Sequence, residues 1–397
     1  MCFQPNEKIS SGLDNLLRDH LHLLRERKVG LVAHPASVSA ALQHILPALL
    51  ARNIPISALF GPEHGFGGEA QDMEAVHAPQ TGPSGIPLHS LYGASADTLA
   101  PQAEHLAPLD VLVVDLADVG SRYYTYTWTA VLCLRACRDA GIEMILLDRP
   151  NPLGGEIVEG PVQRDGFLSF VGLCPVAIRH GLTMGEILQM VAHREGLSDH
   201  LRVIPMQGWQ RHMFFDDTGL PWVTPSPNMP TLETAFVYPG GCLLEATNVS
   251  EGRGTTQPFL QFGAPHIDSR HLCAQLNGAR LDGVVFRETS FRPMFQKHQG
   301  RTCHGAFVHI TDRRTFRPYR AGLTVLHALF ATADEGFAWR DAPYEFVSDI
   351  PAIDLLSGSP HMREALHAGA APEEIAADWE REERAFALEK KQFHLYT

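Results

Sequence analysis

The stretch ISALFGPEHGFGGEA, residues 56–70, ends an apolar run at Gly61-Pro62 and then sets Glu63 beside His64 among glycines. A carboxyl and an imidazole delivered by a tight turn are suited to proton transfer. Other residues able to do chemistry stand at comparable places. His34, Tyr92, Asp115, Asp118 and the pair Asp148-Arg149 each close or follow an apolar run. The segment DVGSRYYTYTW (118–128) gathers Arg122, Tyr123, Tyr124, Tyr126 and Trp128. Aromatic rings with hydroxyls make good surfaces for sugars, and an arginine fork grips a carboxylate. The polar, glycine-punctuated spans PSPNMPT (225–231) and ATNVSEGRGTTQPF (246–259) add Asn228, Asn248, Glu251 and Arg253. Long loops of this kind in a compact domain usually carry function.

Each residue also has a plainer reading. An acid after a strand often caps a helix or forms a turn. The aromatics serve equally as core, and Glu251 with Arg253 as a structural ion pair. His34, His64, Asp115 and Asp118 could furnish metal ligands, but no HxH or HExxH supports them. FGGEA lacks the lysine of a phosphate loop, and no GxGxxG follows the first apolar run, so no dinucleotide is indicated.

The elements that must position these residues alternate. Apolar segments at 28–34, 56–60, 86–93, 110–118, 142–150 and 201–209 read as strands, and 38–53, 123–141 and 185–196 as amphipathic helices. DVLVVDLAD (110–118) is a continuous branched run, as expected where helices cover both faces of a sheet. This alternation predicts a doubly wound, mainly parallel α/β sheet. Ligands of such sheets bind beyond the carboxyl ends of the strands, which is where His34, Glu63, His64, Tyr92, Asp115, Asp118 and Arg149 fall. After about residue 238 the rhythm changes. Residues 283–293 and 303–312 alternate with period two, 271–279 and 322–336 read as helices, and 371–391 as a charged helix. This predicts a smaller α+β domain at 239–397 completing a cleft with a domain at 1–238.

The 397 residues are 45% hydrophobic and 19% charged, with a formal net charge of −13 and no basic runs. That composition suits a globular protein and argues against nucleic-acid or anionic-membrane partners. No apolar run reaches the roughly 20 residues of a membrane span. MCFQPNEKISSG lacks the cationic start and apolar core of a secretory signal. Seven scattered cysteines without CxxC fit reduced thiols in a cytoplasmic protein. Cys133 and Cys137, which share a helix face, are the only candidate redox or metal pair. A homo-oligomer remains open.

FGPEHGF, DLADVGSRYYTYT, LLDRPNPLGG, HGLTMGE, VIPMQGWQR, PSPNMPT, YPGGCLLEATNVSEGRGTTQPF and GAPHID stand in this order between Lys28 and Trp339. Together they resemble the exo-β-N-acetylmuramidase family. The resemblance implies a Rossmann-like domain, a smaller second domain and a cleft between them. It also implies a cofactor-free glycosidase that removes non-reducing terminal N-acetylmuramic acid from peptidoglycan fragments, here a disaccharide or muropeptide. The family's proposed catalytic glutamate falls on Glu63. The chain departs from the family pattern at His34, Gly67 and Ala117, where an amide, an arginine and a glutamine are usual.

An ordinary glutamate, with a pKa of about 4.3, is mostly ionised at neutral pH. Apolar surroundings, here expected from Phe60 and Phe66, would favour its protonated form and make Glu63 a general acid/base. Asp115, Asp118 and Glu251 are all candidates for a second carboxylate. A retaining, an inverting and an acetamido-assisted route each remain open. His64 is expected to bond Glu63 or the sugar, and Arg122 and Arg253 to hold the lactyl carboxylate. A non-catalytic sugar-binding protein and a metal-dependent hydrolase are the competing readings.

Overall fold

The computed structural model describes residues 9–76, 81–331 and 336–397. Cys2, most of the N-terminal segment and the last turn of the helix expected at 322–336 lie outside them. Six parallel strands form the main sheet: β1 Val29–Ala33, β2 Ile56–Gly61, β3 Leu88–Ser90, β4 Val111–Asp115, β5 Glu143–Leu147 and β6 Leu201–Ile204. Their order is β3-β2-β1-β4-β5-β6, the doubly wound order of Rossmann folds.

Alternate side chains of each strand feed two cores. Leu31, Leu59, Val113 and Ile145 pack with Leu13, Leu16, Ile45 and Leu49 on one face. Val32, Phe60, Val114 and Leu146 pack on the other with Val131 and Leu134 of helix Tyr126–Ala140 and with Ile187 and Leu188 of helix Met184–Glu195. Burial on both faces is why these strands read as unbroken apolar runs.

The expected helix over 38–53 is only Ile45–Leu50. Pro47 explains the difference. It has no N–H and clashes with a preceding turn, so it is tolerated in the first turn of this short helix but not inside a longer one. Residues 38–44 instead form a turn closed by a Val38–His44 bridge.

The second domain is built on a three-stranded antiparallel sheet ordered β7-β9-β8, with β7 Gln261–Ala264, β8 Val284–Phe291 and β9 Cys303–Ile310. β8 alternates as expected: Val284 and Phe286 are buried while Val285 is 47% exposed. β7 and the helix Leu232–Gly241 are not marked in the sequence. The helix ends in Pro239, Gly240 and Gly241, residues that signal a loop, and the division expected after residue 238 falls inside it. Here Gly240 serves close packing. A Cβ on it would collide with the carbonyl oxygen of Pro318, at the start of helix Pro318–Ala331.

Among the described residues no helix is long and apolar enough to cross a membrane. Gly240→Ala is expected to lower stability by roughly 1–3 kcal/mol through overpacking, read as a depressed melting temperature. An unchanged melting temperature would contradict the close approach.

Candidate active site

The chain leaves β2 through Gly61, where a Cβ would strike the Phe66 backbone nitrogen. The following turn is closed by Gly65 N–H to the Pro62 carbonyl at 2.9 Å. His64 takes a left-handed φ of 70° and bonds the Ala70 carbonyl through Nδ1 at 2.8 Å. The turn carries Glu63 under the start of helix Tyr126–Ala140, where it is 4% exposed. Thr125 Oγ1 donates to Glu63 Oε2 at 2.5 Å. The Met73 N–H approaches Oε1 at 3.4 Å. Tyr126 Oη lies 3.1 Å from the Glu63 carbonyl and 3.0 Å from that of Pro225, with one proton for the two.

Glu63 lines a narrow cleft. His64, Asp72, Tyr123, Tyr124, Thr125 and Asn228 come from the first part of the chain. Tyr238, Glu245, Arg253, Phe259, Tyr344 and Glu345 come from the second. Phe60 and Phe66 do not provide Glu63's surroundings. Phe60 packs on His89 and Phe66 on His44, so Glu63 sits among hydroxyls and other carboxyls.

Arg253 is the cleft's cation. Its Nη1 lies 2.9 Å from Glu245 and 3.1 Å from Glu251, and its guanidinium lies over the Phe259 ring at 4.9 Å. Nε is 3.2 Å from Asp72 Oδ1 but is buried without an aligned hydrogen bond. Burial pushes the Glu251 carboxyl up, but Lys297 at 2.8 Å and Arg253 outweigh it and bring it down to about 2. Glu245 accepts from the Tyr344 hydroxyl at 2.7 Å, and burial holds its carboxyl above the usual range. Glu345 accepts from the Tyr92 hydroxyl at 3.0 Å. Burial, then the negative charge of Glu63, pushes the Glu345 carboxyl well above the usual range.

The other expected site residues fall elsewhere. Asp115 is fully buried, with both oxygens on Arg149 at 2.5 and 2.7 Å. His34 Nδ1 faces the Pro225 carbonyl and Nε2 accepts from Ala117 N–H at 3.0 Å. Burial and the charge of Arg149 take its pKa down to about 3, so the ring is neutral. Asp118 accepts from Gly120 N–H at 2.8 Å, and burial raises it to about 7. With Arg149, Ala117 and Trp222 it lines a second pocket, walled largely by prolines and aliphatic side chains.

Arg122 donates to the carbonyls of Pro161, Val176 and Leu356 and does not line the Glu63 cleft. Asn248 pins the backbone at Gly336 and Ala338. Tyr123 reaches the cleft but turns its hydroxyl to the Pro239 carbonyl at 3.3 Å. Asn228 donates to Gln71 Oε1 at 2.9 Å. Among the described residues no group of three or more His, Cys, Asp or Glu is placed to hold a metal ion.

Sequence reasoning missed Asp72, Glu245, Tyr344 and Glu345. Only the aromatic-acid-aromatic triplet Tyr344-Glu345-Phe346, outside any periodic segment, offered a signal for two of them.

Comparison with known proteins fits this arrangement. Residues 29–233 match the N-terminal model of the exo-β-N-acetylmuramidase NamZ family, and 236–396 match its C-terminal model. The chain is 40% identical over 390 residues to the peptidoglycan β-N-acetylmuramidase NamZ of Bacillus subtilis, covering 98% of this chain and 92% of that one. Two crystal structures of DUF1343 family proteins from Bacteroides fragilis share the fold. One has a TM-score of 0.87 at 32% identity, the other 0.77 at 27%, each covering 98% of this chain and 99% of the other. These relatives place the chain among glycosidases. The chain belongs to the exo-β-N-acetylmuramidase family.

The ion pairs of Glu251 carry a pH signature. Its carboxyl is held low when folded, so its stabilisation is present above the ordinary value of 4.5 and lost as pH falls towards about 2. The melting temperature of Glu251→Gln should therefore lie well below wild type at pH 6 and approach it near pH 3. A gap that stays constant would contradict the assignment.

Proposed function

We propose that this chain releases non-reducing terminal N-acetylmuramic acid from peptidoglycan fragments, with Glu63 as general acid/base. The observation that carries the reading is the Glu63 carboxyl, fixed by Thr125 at the bottom of a cleft lined by tyrosines. Tyr123, Tyr124, Tyr238 and Tyr344 line the cleft and supply aromatic surface for a pyranose.

Protonation of the glycosidic oxygen by Glu63 lets the bond to the anomeric carbon break. The carboxylates around it favour the positive charge that develops there. Arg253 is our choice for the lactyl carboxylate, because its buried Nε lacks an aligned hydrogen bond. Arg122 is not, since its donors are taken by carbonyls. The six described cysteines are buried free thiols, which supports a reducing compartment, the cytoplasm.

A chromogenic N-acetylmuramic acid glycoside tests the reading. Glu63→Gln should lower kcat by about 10²–10⁴, the usual worth of a positioned acid, with sugar binding kept. Turnover in Glu63→Gln equal to wild type would refute the role of Glu63. Tight binding without turnover in the natural protein would refute the reaction.

A further inference from the structure

Resting on that reading, we propose that Asp72 is a positioning residue for Glu63: it anchors a strap, residues 70–73, to the second domain, and the strap presents the Met73 N–H to the acid.

Residues 62–76, which follow β2, form neither helix nor strand, so no ladder of backbone bonds holds them. Successive residues of the strap are gripped by different parts of the molecule instead. Ala70 is joined twice to His64: its N–H donates to the His64 carbonyl at 3.3 Å, and its carbonyl lies 2.8 Å from His64 Nδ1. Gln71 Oε1 accepts from the Asn228 amide at 2.9 Å. Asp72 Oδ1 accepts from Gln296 Nε2 at 2.5 Å and lies 3.2 Å from Arg253 Nε. Met73 packs against the main core, and Arg340 Nη2 is 3.7 Å from its sulfur. Gln296, Arg253 and Arg340 all belong to the second domain, so the grips on Asp72 and on the Met73 sulfur come from there.

The strap is held under strain. Met73 has a φ of 57°, in the left-handed region that residues with a Cβ seldom take. Such a conformation persists where the surroundings over-determine it, as the grips on residues 70–73 do. The anchor's partner is braced as well. Gln296 is itself left-handed, with φ 61°. Its neighbour Lys297 donates to the carbonyls of Leu244 and Val249, and His298 Nε2 lies 2.7 Å from that of Asn248. The support for Asp72 is therefore tied to the segment that leads to Arg253.

The strap delivers one hydrogen bond. Thr125 fixes Glu63 Oε2, and the Met73 N–H approaches Oε1 at 3.4 Å. That is long for an amide donor, and bonds at catalytic groups commonly tighten once substrate is bound. A carboxyl held at both oxygens keeps one orientation towards the glycosidic oxygen. Asp72 is one residue from the Met73 N–H, so a shift of the anchor moves that bond. Misplacement by about 1 Å can lower a rate about 10²-fold.

The test compares kcat/KM on two substrates that share the muramic unit: the chromogenic aryl glycoside and a disaccharide whose leaving group is a sugar. An aryl oxide needs less help from a proton donor than a sugar alkoxide does. Misplacing the donor therefore harms the disaccharide more, whereas a lost contact to the muramic unit or a weaker fold harms both equally. Asp72→Ala should lower kcat/KM about tenfold or more on the disaccharide, and by a smaller factor on the aryl glycoside. Gln296→Ala, at an exposed side chain that does not line the cleft, should show the same bias with a smaller loss. Asp72→Asn keeps Oδ1 as an acceptor for Gln296 and should retain most of the activity.

An Asp72→Ala loss that is equal on the two substrates, or no loss, would overturn the proposal. So would an Asp72→Asn variant as impaired as Asp72→Ala. If Asp72→Ala does not fold, Gln296→Ala decides by the same comparison. If the natural protein turns over neither substrate, the functional reading fails by itself. Hydrogen exchange over residues 70–76 then decides the strap: faster exchange in Gln296→Ala than in wild type supports it, and equal rates overturn it.

Discussion

The cleft gathers Glu63, Asp72, Glu245 and Glu345, with Arg253 on Asp72, Glu245 and the neighbouring Glu251. Coulomb repulsion among carboxylates out of bulk water is strong, so their charge must be met or neutralised locally. Lys297 and Arg253 satisfy Glu251, while Arg253 and Tyr344 satisfy Glu245. Among the described residues, Glu63 and Glu345 receive hydroxyl and amide donors.

The same arithmetic separates the cleft from the far end of the sheet. At the carboxyl ends of β1, β4 and β5, Asp115 is closed by the fork of Arg149, and His34 is neutral with both ring nitrogens committed to the backbone. Those groups brace the point where the strand order reverses, leaving little free chemistry there. Glu63 stands one strand away, beyond β2. The second domain completes its cleft by supplying Arg253, Tyr344 and Glu345.

The sheet was largely legible in the sequence. Strands buried on both faces leave continuous apolar runs, and five of the six sit within the segments that those runs mark, β2 running one residue past its segment to Gly61. Glu63 was legible because Gly61-Pro62 interrupts such a run just before it. What escaped lay in contacts between distant segments. Leu232–Gly241 ends in residues that usually break helices, and its glycines make sense only against the helix beginning at Pro318. Glu345 is 282 positions from Glu63, in a turn made by residues that disfavour it, and no local pattern announces that the two line one cleft. Arg122 erred in the opposite direction: beside four aromatics it resembled a ligand grip, yet its forks close on three backbone carbonyls.

A structure with N-acetylmuramic acid bound examines the central claim most directly. The anomeric carbon should lie in the Glu63 cleft within reach of Glu63, with the lactyl carboxylate on Arg253. Density for the sugar in the cavity of Asp118 and Trp222, with the Glu63 cleft holding only solvent, would contradict it.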